Sequence, residues 1–138
     1  MIILDTNVLS ELIRRVPEPK VLTWLEAQAT EAPFTTAISR GEMLYGARIL
    51  PAGRRRDSLL QEVEAIFSTD MASRVLPYDG DAADAHAAIA AMCRARGRPI
   101  SQSDAMIAGI VQSCGATLAT RNVRDFEGCG IALVDPWH

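Results

Sequence analysis

Met1-Ile2-Ile3-Leu4-Asp5-Thr6-Asn7 opens the chain: four apolar residues that run straight into an acid. A short unbroken apolar stretch reads as a strand of a parallel sheet, buried on both faces. Asp5 then stands where the strand ends, the edge at which open α/β sheets place their ligands. Further along, Phe34-Thr35-Thr36, Val75-Leu76 before Pro77, Ala116–Thr120 and Ile131–Val134 read as additional short strands.

The segments between them carry helical periodicity. Thr6 or Asn7 can cap a helix through Val8, Leu9, Leu12 and Ile13, which Pro17 ends. Pro19 starts a second, with Val21, Leu22, Trp24, Leu25 and Ala29 as its apolar face. Ser39 can cap a helix over 40–50 that Pro51 closes, and 51–56 (Pro-Ala-Gly-Arg-Arg-Arg) reads as a basic turn. Leu59, Leu60, Val63, Ile66 and Phe67 recur at helical spacing. An alanine-rich helix runs from Asp81 to about Arg96, with Gly97 as terminator. Ser101 or Ser103 caps the next, which carries Met106, Ile107, Ile110 and Val111 and stops before Gly115. Strands alternating with helices predict an α/β fold: a three-layer α/β/α sandwich around a mostly parallel sheet of four to five strands, in one domain over 1–138.

Bulk composition narrows the chemistry. The chain has 138 residues, of which 49% are hydrophobic and only 5% aromatic, which favours close helix packing over a β-sandwich. No apolar run approaches the roughly 18 residues of a membrane span, and the N-terminus lacks signal-peptide features, so a cytoplasmic protein without membrane contact is expected. Cys93, Cys114 and Cys129 are widely spaced, which disfavours disulfides and thiolate metal sites. With only His86 and His138 as histidines, any metal would be held by oxygen, which selects Mg²⁺ or Mn²⁺. The formal charge of −3 gives no global nucleic-acid signature. Yet all but one of the 14 basic residues are arginines, clustered at Arg14–Arg15, Arg54–Arg56, Arg94–Arg98 and Arg121–Arg124. Arginine matches phosphate bidentately, as lysine does not.

Three acids sit where acids are costly or surplus. Asp5 can cap the first helix, although Thr6 and Asn7 already offer capping oxygens. Glu42 shares a helical face with Ile38, Tyr45, Gly46 and Ile49, where a lone carboxylate needs a partner such as Arg40 or Arg48, or a cation. Asp104 lies in the first turn of its helix, where the macrodipole favours an acid, but Ser101 and Ser103 can cap there. After the fourth strand, Thr120-Arg121-Asn122-x-x-Asp125-Phe126 forms a second polar rim, in which Asp125 either donates charge or caps a turn. Clustered carboxylates raise one another's pKa unless a cation joins them.

Taken together, Asp5-Thr6-Asn7, Ser39-x-x-Glu42 with Gly46, Asp104-Ala-Met-Ile107-Ala108 and the Thr120–Phe126 motif resemble the PIN-domain superfamily along essentially the whole chain. Size and motif order are similar to VapC-type toxins of bacterial toxin–antitoxin pairs. The ending Asp135-Pro136-Trp137-His138 and the basic Arg54–Arg56 segment resemble the FitB-like branch. The resemblance implies a Mg²⁺- or Mn²⁺-dependent endoribonuclease, homodimeric and held inactive by a cognate VapB- or FitA-like antitoxin. It assigns Asp5, Glu42 and Asp104 as catalytic acids and metal ligands, and Thr6, Asn122 and Asp125 as auxiliary groups. Arg54, Arg55, Arg56, Arg121 and Arg124 are expected to hold the RNA backbone. Two positions depart from the pattern: Asn122 stands where many relatives carry a fourth acid, and Gly41 precedes Glu42.

Other readings compete. A FitB-like protein would act chiefly in complex with a DNA-binding antitoxin, controlling transcription with little or no nuclease activity. A haloacid-dehalogenase-type phosphatase wants a second acid two residues after the first, where this chain has Asn7. A response-regulator receiver wants an acidic pair near the first strand and a late lysine, both missing here.

Overall fold

The computed structural model describes residues 1–28 and 30–138. In chain order the elements are β1 (Ile2–Leu4), α1 (Thr6–Leu12), α2 (Pro19–Ala27), β2 (Thr35–Thr36), α3 (Ala37–Arg48), α4 (Arg54–Ala65), β3 (Val75–Leu76), α5 (Gly80–Ala95), α6 (Gln102–Ser113), β4 (Thr117–Ala119), α7 (Val123–Phe126) and β5 (Ala132–Val134). A π-helical turn over Ile66–Asp70 continues α4.

Every strand pairing is parallel: β1 with β4, β4 with β5, and β2 with β3. A bridge between Ile3 and Phe34 ties the two sheets together, with Leu4 N–H donating to the Phe34 carbonyl at 2.7 Å. The spatial order is therefore β3-β2-β1-β4-β5. The chain lays strands outward in one direction from β1 to β3, then crosses to build β4 and β5 on the other side. The reversal falls between β1 and β4, and in open α/β sheets this is where the C-terminal strand ends open a crevice for a ligand.

Alternation along the strands separates two cores, one on each face. Ile3 and Leu118 pack with Ile89, Ile107, Ile110, Val111 and Phe126 from α5, α6 and α7. Leu4 and Ala119 pack with Val8, Leu9, Val21, Val63 and Ile66 from α1, α2 and α4. The result is the expected three-layer α/β/α arrangement with five strands.

Local chemistry moves several boundaries. The cap of α3 is Thr36, whose Oγ1 accepts from Ser39 N–H at 3.1 Å, so the helix starts before Ser39. Arg54–Arg56 form the first turn of α4, not a free turn; Gly53, with φ 151°, precedes them in a backbone conformation that favours glycine. Val123–Phe126 is a short helix that the sequence did not suggest. On α2, Val21 is buried, Trp24 and Leu25 are half-buried and Leu22 is exposed, while Ala29 lies outside the described residues. Gly97 and Gly115 end α5 and α6 with φ of 73° and 61°, as the sequence predicts. Cys93 and Cys129 are buried free thiols with sulfurs 3.8 Å apart. Burial and the neighbouring thiol push Cys129 up to about 12, so it serves packing and not nucleophilic chemistry.

The α5–α6 seam fixes the helix that carries Asp104. Gly109 is buried, and a Cβ there would lie 2.5 Å from the Ala82 carbonyl oxygen and 2.9 Å from the His86 nitrogen, both backbone atoms. Gly109→Ala should therefore cost about 1–3 kcal/mol, the range for overpacking. A lower urea midpoint at unchanged m-value would confirm it, and an unchanged midpoint would refute the tight seam.

Candidate metal-dependent active site

The β1–β4 register places Leu4 opposite Ala119, so the next residues, Asp5 and Thr120, emerge side by side. Thr120 Oγ1 donates to Asp5 Oδ2 at 2.7 Å, and Thr6 N–H donates to Asp5 Oδ1 at 2.8 Å. Asp5 is thus itself the cap of α1, contrary to the expectation that Thr6 or Asn7 would take that role. The carboxylate has two oxygens and serves both ends: one closes the helix and the other faces Thr120. Asn7 Nδ2 lies 3.4 Å from Asp5 Oδ2 and 3.3 Å from Thr120 Oγ1, while its Oδ1 accepts from Arg121 N–H at 3.1 Å. Asn122 N–H donates to Thr120 Oγ1 at 3.0 Å, which seats the loop after β4 on the same threonine.

Glu42 arrives from α3. Thr6 Oγ1 donates to its Oε1 at 3.0 Å and also lies 2.9 Å from the buried Ser39 Oγ. Among the described residues Glu42 pairs with neither Arg40 nor Arg48; Arg40 lies over the Phe67 ring instead, 5.8 Å from its centroid. The helical stripe that the sequence analysis took as its setting is largely exposed, with Tyr45 at 67% and Ile49 at 64%. The buried face of α3 is Ser39, Met43 and Ala47, one step round the helix. Glu42 therefore stands at the seam between the two faces, with its carboxyl turned to Thr6.

Asp104 lies in the first turn of α6, where Ser101 is the cap and accepts from Asp104 N–H at 3.2 Å. Asp5, Glu42 and Asp104 line one pocket of about 410 Å³, together with Thr6, Asn7 and Asn122. Asp125 lies outside it, in an adjoining depression of about 380 Å³ that shares Asp104 and also holds Arg124. Of the five arginines expected to hold RNA, only Arg121 borders the acid pocket; Arg54, Arg55 and Arg56 border neither cavity.

All three acids are held above their ordinary proton affinity. For Asp5 the main cause is burial, opposed by the bonds from Thr120 and Thr6 and reinforced by the charge of Asp125. Glu42 is raised by partial burial and by the charges of Asp5 and Asp104, against the bond from Thr6. Asp104 is raised by burial and by Asp5 and Asp125, against the bond from Ser101. Glu42 and Asp104 thus feel the charge of Asp5 across the pocket, and Asp5 feels that of Asp125 beside it.

The donors fit a hard divalent cation. They are all oxygens, from three carboxylates with Thr6 and Asn122 beside them, and their shared positive pKa shift is what a bound cation would reverse. Among the described residues no three metal-binding side chains are already gathered into a tight cage.

Sequence reasoning missed several groups. Glu11 and Arg14 line the pocket: Asn7, Ser10 and Glu11 lie along one side of α1, and Arg14 continues the same spacing in the turn that follows. That spacing was available as a signal. Thr120 was quoted only as part of a motif, and Trp137 was used only for family likeness. Both bear directly on the site.

The raised carboxyls link stability to pH. A folded-state pKa above the unfolded one gives stability that is complete below the ordinary values of 3.8 for Asp and 4.5 for Glu, and that is lost as pH rises through the raised values. Metal-free protein should therefore melt at progressively lower temperature over that rise, and Asp5→Asn should flatten the decline and melt higher near neutral pH. Thermal unfolding in EDTA across the range decides it; identical pH slopes for the two proteins would refute the assignment.

Comparison with known proteins agrees with the geometry. The PIN domain family matches residues 2–128. The plasmid stability protein StbB of Pseudomonas syringae pv. tomato is 40% identical, covering 99% of this chain and 99% of the relative. The VapC ribonuclease Y4jK of Sinorhizobium fredii is 37% identical over 99% of this chain and 98% of its own length. Toxin FitB of Neisseria gonorrhoeae is 33% identical over 100% of this chain and 99% of its length. The solved structure of FitAB bound to an IR36 DNA fragment superposes with a TM-score of 0.91 at 33% identity, covering 100% of this chain and 96% of that chain. With a parallel sheet whose switch point holds an Asp–Glu–Asp pocket, and with relatives that align end to end, this chain belongs to the PIN-domain family, on the branch of the VapC and FitB toxins.

Proposed function

We propose that the protein is the toxin of a type II toxin–antitoxin pair and acts as a Mg²⁺- or Mn²⁺-dependent endoribonuclease. The observation that carries this reading is the convergence of Asp5, Glu42 and Asp104 on the pocket at the β1–β4 switch point, each raised by burial and by a neighbouring acid's charge. The name VapC ribonuclease, borne by a relative aligned along nearly its whole length, supports RNA as the substrate.

The three carboxylates would hold the cation, directly or through its waters. When bound, such a cation activates water near neutral pH and stabilises charge on the scissile phosphate. Asp5, fixed by Thr120 and Thr6, gives the rigid anchor. Glu42, whose carboxylate has only the Thr6 hydroxyl as partner among the described residues, and Asp104, whose cap bond uses its backbone N–H, are the acids free to orient the attacking water and accept its proton. Thr6 and Asn122 supply neutral oxygens beside the acids, and Asp125 acts on them from outside through its charge.

A partner is also part of the proposal. An apolar groove of about 200 Å³ opens beside Glu42, lined by Ile13, Met43, Gly46, Ala47, Leu59 and Val63. It would seat a hydrophobic segment of a VapB- or FitA-like antitoxin next to the acids. The exposed Tyr45 and Ile49 on α3 offer a second apolar surface, suited to a homodimer contact.

A second reading follows from the relative FitB, which aligns along this whole chain and whose FitAB complex has been solved on a DNA fragment. On that reading the chain acts mainly through complex formation with a DNA-binding antitoxin.

One experiment separates the two. Purified protein with Mg²⁺ or Mn²⁺ should cleave RNA and lose the activity in EDTA. Asp5→Asn, Glu42→Gln and Asp104→Asn should each lower the rate by roughly 10²–10³-fold, the scale of removing one preorganised charged group. Mapping 5′ ends after brief expression of wild type and Asp5→Asn would locate the cut. RNA left intact by the metal-loaded wild type would favour the second reading.

A further inference from the structure

Two guanidinium groups border the acid pocket, and neither pairs with the acids. Among the described residues, Arg14 and Arg121 make no salt bridge to Asp5, Glu42 or Asp104, although all five line the same cavity. Each is held by something else. Arg14 Nη1 donates to both carboxylate oxygens of Glu11 at 2.9 Å. The Glu11 side chain is 2% exposed and that of Arg14 is 61% exposed, so a buried anion anchors a cation that remains open to solvent. Arg121 lies over the Trp137 ring with its guanidinium carbon 5.1 Å from the centroid. Trp137 is itself fixed: its backbone N–H donates to Asp135 Oδ1 at 2.9 Å, Pro136 before it is buried, and it packs against the core cluster that holds Leu4, Val8 and Leu9.

An arginine left free beside three carboxylates would fold onto them and take the place of the divalent cation. Glu11 and Trp137 prevent this by giving each arginine a competing partner. Glu11 occupies one nitrogen of Arg14 and leaves Nε and Nη2 without partners among the described residues. Trp137 occupies only the face of the Arg121 guanidinium, so its in-plane N–H groups stay available. What remains is two oriented donors lining the same cavity as the acids, an arrangement that matches a phosphate.

We propose that Arg14 and Arg121 are a two-armed clamp for a backbone phosphate of single-stranded RNA next to the scissile one, and that Glu11 and Trp137 are positioning residues that aim them. The clamp rests on the ribonuclease reading for its substrate, but its geometry involves a different set of side chains from the acids. It explains a buried acid in a pocket that must receive a polyanion: Glu11 acts on Arg14, not on the substrate.

The test is a sign. Removing a negative charge from an RNA site tightens RNA binding if Glu11 contributes only its field. If Glu11 aims Arg14, Glu11→Gln weakens binding instead. Binding of a fluorescein-labelled single-stranded RNA would be read by anisotropy in Mg²⁺, with Asp5→Asn as the uncleaving parent. Glu11→Gln in that parent should raise Kd several-fold. Arg121→Gln, and the neutral pair Glu11→Gln/Arg14→Gln that keeps a hydrogen-bonded partner for the buried position, should each raise Kd about tenfold. Each should also flatten the slope of log Kd against log salt by about 0.7, the value for one lost single-strand phosphate contact. Trp137→Leu should behave like Arg121→Gln, and Trp137→Phe, which keeps an aromatic face, should recover most of the loss. Thermal melting confirms that each variant is folded.

Tighter or unchanged binding by Glu11→Gln, or salt slopes that do not move in the arginine variants, overturns the clamp. RNA cleavage by wild type together with that result would leave the ribonuclease reading standing alone. The predicted binding pattern without cleavage by wild type would keep the clamp and remove the nuclease. No RNA binding by the parent removes the clamp, and together with no cleavage by wild type it removes the nuclease as well.

Discussion

The parallel pairing of β1 with β4 is the constraint on which the site depends. It joins residues 115 positions apart in a 2.7 Å hydrogen bond from Thr120 to Asp5. A slip of one residue in that register would turn every side chain of β1 to the opposite face, exchanging the partners of Ile3 and Leu4 between the two cores and turning Asp5 away from the crevice. The register is secure because Ile3 and Leu4 are both fully buried, on opposite faces, and cannot trade places without loss of packing. The most apolar stretch of the chain therefore fixes the position of one of its costliest charges.

That charge is tolerated because its neighbours divide the work of solvating it. Asp5 is 5% exposed, and the bonds from Thr120, Thr6 and Asn7 replace part of its lost hydration. They do not replace all of it, since burial still outweighs them and the carboxyl stays raised. A carboxylate supported only for packing would gain from fuller compensation or from an arginine within reach. Here the arginines within reach are held elsewhere, by Glu11 and by Trp137. On the proposed function, that residual destabilisation is the expected condition of a site that receives a cation, where stability is lower until the ligand arrives.

The sheet was legible from sequence because parallel strands buried on both faces leave short apolar runs between turn signals, and all five runs became strands. Asp104 was legible because it begins a helix whose cap, Ser101, was recognisable, and Asp5 because it ends an apolar strand, although it is itself the cap of α1. Glu42 was singled out for a reason the structure does not support. On α3 two stripes run one residue apart, Ile38–Tyr45–Ile49 and Ser39–Met43–Ala47, and hydrophobicity favours the first although the second faces the core. Small residues at Ser39 and Ala47 allow that closer approach, which a hydropathy pattern cannot weigh. Thr36 as cap, and Arg54–Arg56 as a helix start, were missed because Ser39 and the Pro51–Gly53 segment gave stronger local signals than the tertiary contacts that overrode them. Glu11 was hidden for another reason: a glutamate in a polar helical stripe normally faces solvent, and only the fold reveals that this one is buried under Arg14.

On the proposed function, a chain of net charge −3 that handles a polyanion must separate its charges locally. At the pocket the carboxylates and the guanidiniums occupy one cavity without neutralising each other, which is unstable unless each sign is tethered. Two of the acids are tethered by hydroxyl and amide donors, Thr120 and Thr6 to Asp5 and Thr6 to Glu42, while Asp104 is held by its place in the first turn of α6, where its backbone N–H donates to Ser101 Oγ. The arginines are tethered by an anion, Glu11, and by a π-face, Trp137. Lysine could not substitute, because an ammonium held by Glu11 would have no planar outer edge to present, and one over Trp137 would be a point charge without fixed donor directions. The near-absence of lysine from the sequence and the tethering of these two arginines thus express one requirement: positive charge close to the acids must have a direction as well as a sign.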